Sequence, residues 1–446
     1  MTKILLTLAT SFTILSSVAQ DVPSIVGQND WLYYRHEISD ASDNPAVNTT
    51  VDLIRRINAV FKQNDIALVV AMAPLKIRIH SENLPLSLPL SDYLKGNYAT
   101  ILKKLRDGGV STADINTAFQ NSPVRTSPMP LFFKQDTHWS SSGALLGAET
   151  VRDAINSDAG LKRLLESTPT TAYTLTWSPK DWPVQGDLAQ QLPKGTLIPG
   201  KELIKIFTVE KGAGSGEVNL LGGNTTPITL LGSSYTADWT NFPIAMRYAL
   251  QRDLLSISVD ALQGQWVGLH TYLRDDSFQL SPPKLLIWEM PERDMRAPPD
   301  LKWREARNIM DNTEWLLQAS ALIQQKCVAS GIQSSVELGS LTAGKSSTVQ
   351  DFVEINFDKP VERLSYLSAK IQVAGSKTIT IEASGNGAAA RKFTLPVAGD
   401  DAEHNLRTAL LSKGKGFTKI RLFPGTATSF SLKDVQLCAQ PEDLLR

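Results

Sequence analysis

Short apolar runs alternate with helical patterns from residue 21 to about residue 325, and this alternation constrains the fold more than any other feature. Residues 66–73 are apolar throughout and end at Pro74, as expected of a strand buried on both faces. Strands that alternate with helices favour an α/β fold with a parallel sheet flanked by helices. The other predicted strands are 227–231, 254–259 and 284–289. The predicted helices are 91–106, 140–155, 241–252, 301–325 and one before residue 66 that carries Val51, Ile54, Ile57, Val60 and Phe61 on one face.

One stretch interrupts the alternation of strands and helices, and a different pattern begins after Cys327. The Pro- and Gly-rich stretch 177–223 fits this alternation poorly, so we predict a long insertion or surface excursion there. After Cys327, short stretches alternate apolar and polar residues between Gly, Asn and Asp turns, which indicates a β-sandwich of a kind that often binds carbohydrate. A length of 446 residues also favours two domains, which we place at 20–325 and 326–446. The predicted strands of the second domain are 353–357, 377–381, 392–396, 419–423 and 429–433.

The overall charge argues against a nucleic-acid-binding protein. Lys plus Arg equals Asp plus Glu, 45 of each, so no basic excess is present to neutralise phosphates. Hydrophobic residues at 42% and charged residues at 20% are ordinary for a globular protein.

The N-terminus has the pattern of a signal peptide. One positive charge at Lys3 precedes an apolar stretch, and small residues stand before Gln20, where we predict cleavage after residues 1–19. A transmembrane anchor is the alternative, but the stretch is shorter than the roughly 20 apolar residues that span a bilayer. Export would place Cys327 and Cys438 in an oxidising compartment, where they can pair. We predict a disulfide between them that closes the second domain.

Asp136 and His138 are the first candidate catalytic pair. Of the five histidines, only His138 combines a carboxylate close in sequence with a predicted helix start beside it. On an extended or turn segment, residues two apart can face the same cleft, so Asp136 could accept a hydrogen bond from the imidazole. The alternative is that Asp136 only caps the helix and His138 is a buried polar residue.

Ser234 is the candidate nucleophile. It follows the predicted strand 227–231 in the pattern Gly232-Ser-Ser234-Tyr235, and the ends of such strands are where ligands bind in α/β sheets. Gly232 would permit the close backbone approach of a tight turn. Ser233 is the competing nucleophile, and a plain glycine-serine turn is the alternative without chemistry. The Ser234 backbone N–H would then be a natural oxyanion donor.

Two further strand ends carry polar side chains. Lys76 follows Pro74 and could face the cleft or simply the solvent, while Glu289 or Arg293 could orient the site or form a structural salt bridge. We predict no metal site, because no Cys/His cluster has the spacing of metal ligands, and no Gly-rich loop looks like a phosphate cradle.

Together these motifs resemble the alginate O-acetyltransferases of the SGNH-hydrolase-like superfamily, in particular the periplasmic AlgX type. The resemblance runs nearly end to end, and its motifs keep the order of the family. They are Gly27-Gln-Asn-Asp-Trp31-Leu-Tyr-Tyr34, Pro74-Leu-Lys76, Asp136-Thr-His138-Trp139, Gly232-Ser-Ser234-Tyr235 and Trp288-Glu-Met-Pro-Glu-Arg293.

The resemblance implies a catalytic SGNH-like domain followed by a carbohydrate-binding-module-like β-sandwich. It further implies that Ser234 is the nucleophile, His138 the general base and acid, and Asp136 the residue that holds His138. Residues 264–266 are candidates for a further oxyanion donor, although they match the family only loosely. No soluble cofactor is implied. Acetyl would come through a membrane O-acyltransferase or an intermediary protein, and other polymer-export proteins would be partners.

The predicted substrate is an anionic polysaccharide such as alginate, acetylated on mannuronate before export. All nine tryptophans precede Cys327, so the usual stacking platform for neutral sugars is missing from the second domain, and a local basic groove could hold a polyuronate instead. A solvated charged face is the alternative for these residues. An acetyl esterase and a non-catalytic subunit of an export complex remain rival functions. The candidate substrate-binding residues are Lys76, Tyr235, Arg293, Lys413, Lys415, Lys419 and Arg421.

Overall fold

The computed structural model describes residues 23–193, 195–197, 199–212, 226–260, 263–302, 308–341, 350–411 and 416–446. The predicted signal peptide lies outside the described residues, as do Lys413 and Lys415.

The strands and helices are numbered along the chain. The strands are β1 (Ser24–Val26), β2 (Leu32–Tyr34), β3 (Ala67–Ala73), β4 (Ser111–Ala113), β5 (Tyr173–Trp177), β6 (Trp182–Val184), β7 (Glu202–Ile204), β8 (Phe207–Lys211), β9 (Ile228–Gly232), β10 (Leu255–Ser258), β11 (Leu285–Pro291), β12 (Ser334–Leu341), β13 (Gln350–Val361), β14 (Ser365–Ala374), β15 (Thr378–Gly385), β16 (Ala388–Pro396), β17 (Asp400–Ala409), β18 (Phe417–Phe423) and β19 (Ser429–Ala439). The α-helices are α1 (Asn44–Gln63), α2 (Lys76–Ile79), α3 (Asp92–Asp107), α4 (Ile115–Asn121), α5 (Ser141–Ser157), α6 (Ala159–Glu166), α7 (Asp187–Gln190), α8 (Phe242–Leu250), α9 (Gly264–Arg274), α10 (Asp276–Gln279) and α11 (Asn312–Ile323).

A five-stranded parallel sheet forms the centre of the N-terminal part, in the order β10-β9-β11-β3-β4. Alternate residues of β3 are buried against opposite layers. Leu68 and Val70 belong to the core that contains α1, α9 and α11, whereas Val69 and Ala71 belong to the core that contains α5 and α8. A sheet covered on both faces explains why β3 is an unbroken apolar run, and the α/β prediction is confirmed.

The topology places three strand ends at one edge of the sheet. Because β3, β9 and β11 are parallel neighbours, the residues that follow Ala73, Gly232 and Pro291 all emerge at their carboxyl ends. Ligands of open α/β sheets bind at this edge. The motifs that contain Lys76, Ser234 and Arg293 therefore meet there.

The C-terminal part is a sandwich of two antiparallel sheets, ordered β12-β13-β18-β15-β16 and β17-β14-β19. Ile355, Ile381 and Leu422 of the larger sheet share a core with Leu367 and Ile371 of the smaller one. The predicted all-β sandwich is confirmed, and the Cys327–Cys438 disulfide is formed. The proposed domain boundary between residues 325 and 326 falls between α11 and β12 and stays a prediction.

The two parts are joined by continuous packing. Trp315 of α11, on the N-terminal side, belongs to the same hydrophobic core as Tyr366, Ala409 and Cys438 of the sandwich. Gln318 adds a pair of hydrogen bonds across the junction, because its amide donates to the Ala409 carbonyl at 3.0 Å and accepts from the Ala409 N–H at 3.2 Å. The two parts are therefore joined by a packed interface as well as by the connecting chain.

Candidate active site

A short hairpin-like loop before α5 carries Asp136 and His138. Phe132 and Trp139 form an antiparallel bridge across it, and the Ser140 N–H donates to the Leu131 carbonyl at 2.9 Å. Ser140 then caps α5 by accepting from the Gly143 N–H. Helix capping thus falls to Ser140, which leaves the Asp136 carboxylate for His138.

Ser234 stands on a tight turn directly after β9. A Cβ at Gly232 would lie 2.4 Å from Thr236 Cγ2 and 2.6 Å from Glu289 Oε2, so only glycine fits before this turn. Ser234 opens a 3-10 turn, Ser234–Thr236, and the first N–H groups of such a turn have no intrahelical acceptor. The backbone N–H of Ser234 is consequently placed to serve as an oxyanion donor.

The three predicted catalytic side chains form one hydrogen-bonded series. His138 Nε2 lies 2.7 Å from Ser234 Oγ, and His138 Nδ1 lies 2.6 Å from Asp136 Oδ1. Because an ionised carboxylate only accepts, Asp136 selects the tautomer with the proton on Nδ1 and leaves Nε2 free to accept from the Ser234 hydroxyl. Asp136 and His138 are each 7% exposed, whereas Ser234 remains partly open to solvent.

The environment keeps Asp136 ionised. Burial opposes its charge, but the hydrogen bond and the charge of His138, together with the backbone N–H groups of Asp187 and His138, outweigh burial and lower the pKa of Asp136 to about 2. The Asp187 N–H donates to Asp136 Oδ2 at 2.9 Å, and the His138 N–H donates to Oδ1 at 2.9 Å. Both carboxylate oxygens are therefore occupied in holding the imidazole and its loop.

Ser233 is hydrogen-bonded to Glu289 and not to His138. Its N–H and its hydroxyl both donate to Glu289 Oε2 at 2.8 Å, and its Oγ accepts from the Tyr235 N–H. Glu289 is fully buried, which raises its pKa to about 8. Ser234 is therefore the serine that contacts the imidazole, whereas Ser233 stabilises the turn.

Two predicted substrate-binding residues are buried, which contradicts a direct contact with polymer. Lys76 is 0% exposed, and its Nζ donates to the carbonyls of Lys134 and Asp136 at 2.8 and 2.9 Å. Tyr235 is 1% exposed, and its hydroxyl donates to the Thr137 carbonyl at 2.5 Å. Both side chains hold the backbone of the Asp136–His138 loop, so they position the predicted catalytic residues.

Arg293 remains a candidate for substrate contact. It is partly exposed, lies over the rings of Tyr34 and Tyr235, and donates to the Tyr235 hydroxyl at 3.0 Å. Because the Tyr235 hydroxyl in turn donates to the Thr137 carbonyl, Arg293 also supports the loop that carries Asp136 and His138. Its predicted role in binding substrate stays a prediction.

The segment that looked like a surface excursion in the sequence contributes directly to the site. Asp187 accepts from the Thr137 N–H and hydroxyl at 2.8 and 2.7 Å, and Glu202 accepts from the Lys134 N–H at 2.8 Å. Gly186 lies so close that a Cβ there would be 2.2 Å from the Gln135 carbonyl oxygen. Sequence reasoning missed these contacts, since Asp187 is some fifty positions from its partner in the chain.

The remaining candidate oxyanion donors near residue 265 are engaged elsewhere. The Gln265 amide donates to the Asp294 carbonyl at 3.2 Å, and Trp266 Nε1 donates to the Ala297 carbonyl at 2.7 Å. Both side chains are buried in the body of the protein. They therefore connect the start of α9 to residues 294–297.

Asp136, His138 and Asp187 also offer ligand atoms within 4.8 Å of one another, a spacing that could hold a metal ion. Each of these atoms already takes part in the hydrogen bonds described above. The close spacing of these three side chains is therefore explained by the hydrogen-bonded series.

The outer face of the larger C-terminal sheet carries Lys419 and Arg421. Both are paired with Glu354, at 3.1 and 2.7 Å, so their charge is partly neutralised. Arg421 lies over the Phe352 ring, whose centroid is 5.5 Å from that of Phe423. This face thus combines cations with aromatic rings, although sequence analysis sought only tryptophan there. Binding of polymer by Lys419 and Arg421 stays a prediction.

A serine, an imidazole and a carboxylate in series at the carboxyl edge of a parallel sheet are the arrangement of serine-dependent acyl-transfer enzymes. Comparison with known protein families identifies one family within this class of enzymes. Residues 25–292 match the family model described as SGNH hydrolase-like domain, acetyltransferase AlgX, and the chain belongs to this family. The resemblance recognised in the motifs is confirmed.

Relatives and solved structures agree with this assignment. The chain is 29% identical over 284 residues to the probable alginate O-acetylase AlgJ of Pseudomonas fluorescens, covering 60% of this chain and 67% of that protein. It is 26% identical over 300 residues to the alginate biosynthesis protein AlgX of Pseudomonas putida, covering 65% of this chain and 60% of that protein. The fold is similar to that of Pseudomonas aeruginosa AlgX, with a TM-score of 0.64, 19% identity and coverage of 94% of this chain and 95% of the other. It is also similar to the O-acetyltransferase domain of Pseudomonas putida AlgJ, with a TM-score of 0.54, 24% identity and coverage of 64% and 96%.

Proposed function

We propose that this protein is a periplasmic polysaccharide O-acetyltransferase that carries acetyl on Ser234 and delivers it to hydroxyls of mannuronate residues in alginate. The observation that carries the proposal is the series Ser234–His138–Asp136 in a chain of an acetyltransferase family. Relatives named alginate O-acetylase and alginate biosynthesis protein support alginate as the polymer.

In the first half-reaction, Ser234 takes acetyl from a donor ester. His138 Nε2 accepts the hydroxyl proton while Oγ attacks the acetyl carbon, and the developing imidazolium is stabilised by Asp136. The oxyanion accepts from the Ser234 N–H. The donor oxygen then leaves with the proton from Nε2, and acetyl-Ser234 remains.

In the second half-reaction, a sugar hydroxyl replaces the donor. Its proton passes to His138 Nε2 while its oxygen attacks the acetyl carbon, and Ser234 Oγ leaves and takes the proton back. Lys76 and Tyr235 hold the loop so that one imidazole serves both steps. Transfer and hydrolysis share this chemistry, and only the identity of the acceptor, a sugar or water, distinguishes them.

The partners follow from the same proposal. Acetyl would arrive from a membrane O-acyltransferase or an intermediary protein, and polymer-export proteins would present the acceptor. The cationic and aromatic face of the C-terminal sandwich would hold the anionic chain by charge-assisted and stacking contacts.

An acetyl-transfer assay tests the proposed activity. Purified protein is incubated with an acetyl ester and oligomannuronate, and the products are weighed by mass spectrometry. We expect oligosaccharides that are heavier by one or more acetyl groups. Release of acetate without acetylated sugar would instead identify an esterase and contradict the transferase proposal.

Export is tested separately. No helix among the described residues is long and apolar enough to cross a membrane. We expect the protein in a periplasmic extract to have the mass of a chain that begins at Gln20. A periplasmic chain that retains residues 1–19 would contradict the predicted cleavage, and a chain that stays in the cytoplasmic fraction would contradict the proposed location.

A further inference from the structure

One large aromatic side chain beside the catalytic residues has no part in the proton relay. Trp239 lies five positions after Ser234, in the 3-10 turn Asp238–Thr240, and its side chain is 55% exposed. Its ring centroid is 4.8 Å from that of His138, with the two planes at 79°. The open indole is therefore in contact with the proposed base, where its aromatic face is available to a bound substrate.

The turn that presents Trp239 is fixed by buried neighbours. The Thr240 hydroxyl contacts the carbonyls of Tyr235 and Ala237 at 2.8 and 2.7 Å. Asn241 has a positive φ of 65°, and its side chain donates to the Phe207 carbonyl at 2.8 Å. Thr240 and Asn241 are 1% and 7% exposed. The backbone on both sides of the indole is therefore held in place, which lowers the entropy lost when a ligand binds.

The chemistry of an indole suits a sugar ring. An aromatic face carries negative charge density, and the C–H bonds on one side of a pyranose present positive charge density to it. Trp239 Nε1 has no hydrogen-bond acceptor among the described residues, so it is available to a sugar oxygen. Because the imidazole is in contact with the indole, a sugar bound at Trp239 would lie close to His138.

We propose that Trp239 forms the acceptor-sugar subsite, in which its open indole stacks with the pyranose ring whose hydroxyl is acetylated. This inference rests on the proposed function, since it concerns the second half-reaction. Stacking depends on the C–H face of the pyranose ring and not on the charge of the sugar. Selection for an anionic polymer would consequently come from cations elsewhere, such as Arg293.

The subsite has a kinetic consequence that a merely structural role lacks. Acetyl-Ser234 can pass acetyl to a sugar hydroxyl or to water, and both acceptors give their proton to His138. A residue that holds the sugar affects only the first route. A residue that merely packs on His138 affects both routes and the acylation of Ser234 as well.

Trp239→Ala, Trp239→Phe and Trp182→Ala are compared with the wild type. Trp182 is the matched control, because it is 50% exposed on β6 and makes no ring contact with His138 within the described chain. With an aryl acetate as donor, the burst reports acylation, and the acceptor KM and the ratio of transfer to hydrolysis report the second step. For Trp239→Ala we expect the acceptor KM to rise and the ratio to fall by about tenfold, the size of one lost aromatic contact, and by clearly more than acylation changes.

The control and the conservative variant sharpen the result. Trp239→Phe keeps an aromatic face and should recover most of the ratio, while Trp182→Ala should behave as the wild type. The effect of Trp239→Ala should be similar for mannuronate and for neutral oligosaccharide acceptors. A ratio that does not change, or an acylation rate that falls in parallel with transfer, would overturn the subsite.

A binding measurement separates this inference from the proposed function. Oligomannuronate is titrated into Ser234→Ala protein, with and without Trp239→Ala, and followed by NMR. If wild-type protein transfers no acetyl to sugar, weaker binding without Trp239 still supports the subsite. If Ser234→Ala protein binds oligomannuronate equally well without the indole, or binds no saccharide at all, the subsite is wrong.

Discussion

Replacing Ser234 by alanine is expected to lower acetyl transfer by about 10⁵-fold. The alanine has no oxygen to carry acetyl, and loss of the nucleophile alone costs about as much as loss of the whole catalytic series in enzymes of this class. The measurement is the rate of oligomannuronate acetylation, together with the mass of the acyl-enzyme. The wild type should gain one acetyl on the peptide that contains Ser234, and the variant should gain none.

Ser233→Ala is the matched control for this variant, since it makes the same chemical change one position away. It loses hydroxyl contacts to Glu289 and Tyr235, worth about 1–3 kcal/mol, so its rate should fall by no more than about a hundredfold. The double variant Ser234→Ala, His138→Ala should be no slower than Ser234→Ala alone, because the two residues act as a unit. If Ser233→Ala were the inactive protein and Ser234→Ala the active one, the assigned nucleophile would be wrong.

Asp136→Asn should lower the rate by about 10⁴-fold while the protein remains folded. The carboxylate accepts from His138 through Oδ1 and from the Asp187 N–H through Oδ2, and an amide has only one oxygen to offer. If the amide NH₂ faces His138, it forces the proton onto Nε2, which then cannot accept from Ser234. If the amide NH₂ faces Asp187, it lies against the Asp187 backbone N–H, so two donors meet without an acceptor. In both cases the negative charge that stabilises the imidazolium is lost.

Asp187→Asn is the corresponding control, because Asp187 contacts the loop at Thr137 and not the imidazole. Its rate should fall far less than that of Asp136→Asn. In the wild type, the low pKa of Asp136, about 2, means that its charge is present throughout the pH range above that value. A low-pH loss of activity centred near pH 4 or above should therefore not be due to this group. An Asp136→Asn protein with wild-type rate would contradict its role.

The parallel sheet could be predicted because its strands carry the signal locally. β3 is buried on both faces, so nearly every residue of the run 66–73 had to be apolar, and the observed strand begins one residue later. Other strands were missed where the local signal is weak. β17 begins Asp-Asp-Ala-Glu-His and its first half is largely exposed, so its sequence lacks the apolar alternation of a half-buried strand.

Helix ends were predicted well where a cap is visible in the sequence. Ser140 before α5 is such a cap. The helix predicted over 301–325 is described only as α11, which begins at Asn312, where Asp311 accepts from the N–H groups of Thr313 and Glu314. Residues 303–307 of that prediction lie outside the described residues. The apolar pattern alone did not reveal this internal start.

The site was predictable in its reacting groups but not in its supports. Asp136 and His138 are close in sequence, and Ser234 follows a recognisable strand and glycine. Lys76 was expected in the cleft or in solvent, yet it is buried against backbone carbonyls, and no pattern in one sequence announces that contact. Glu202 and Asp187 likewise reach the loop only through long-range folding.

The shared core at the junction fixes the geometry between Ser234, the proposed nucleophile, and the C-terminal sandwich. Tyr366, Ala409 and Cys438 pack with Trp315 in one hydrophobic cluster, and Gln318 bonds across it. A polymer bound to the sandwich would therefore reach Ser234 at a fixed distance along the polymer from its point of binding. The spacing of acetyl groups along the product would then depend on the distance between Ser234 and the sandwich.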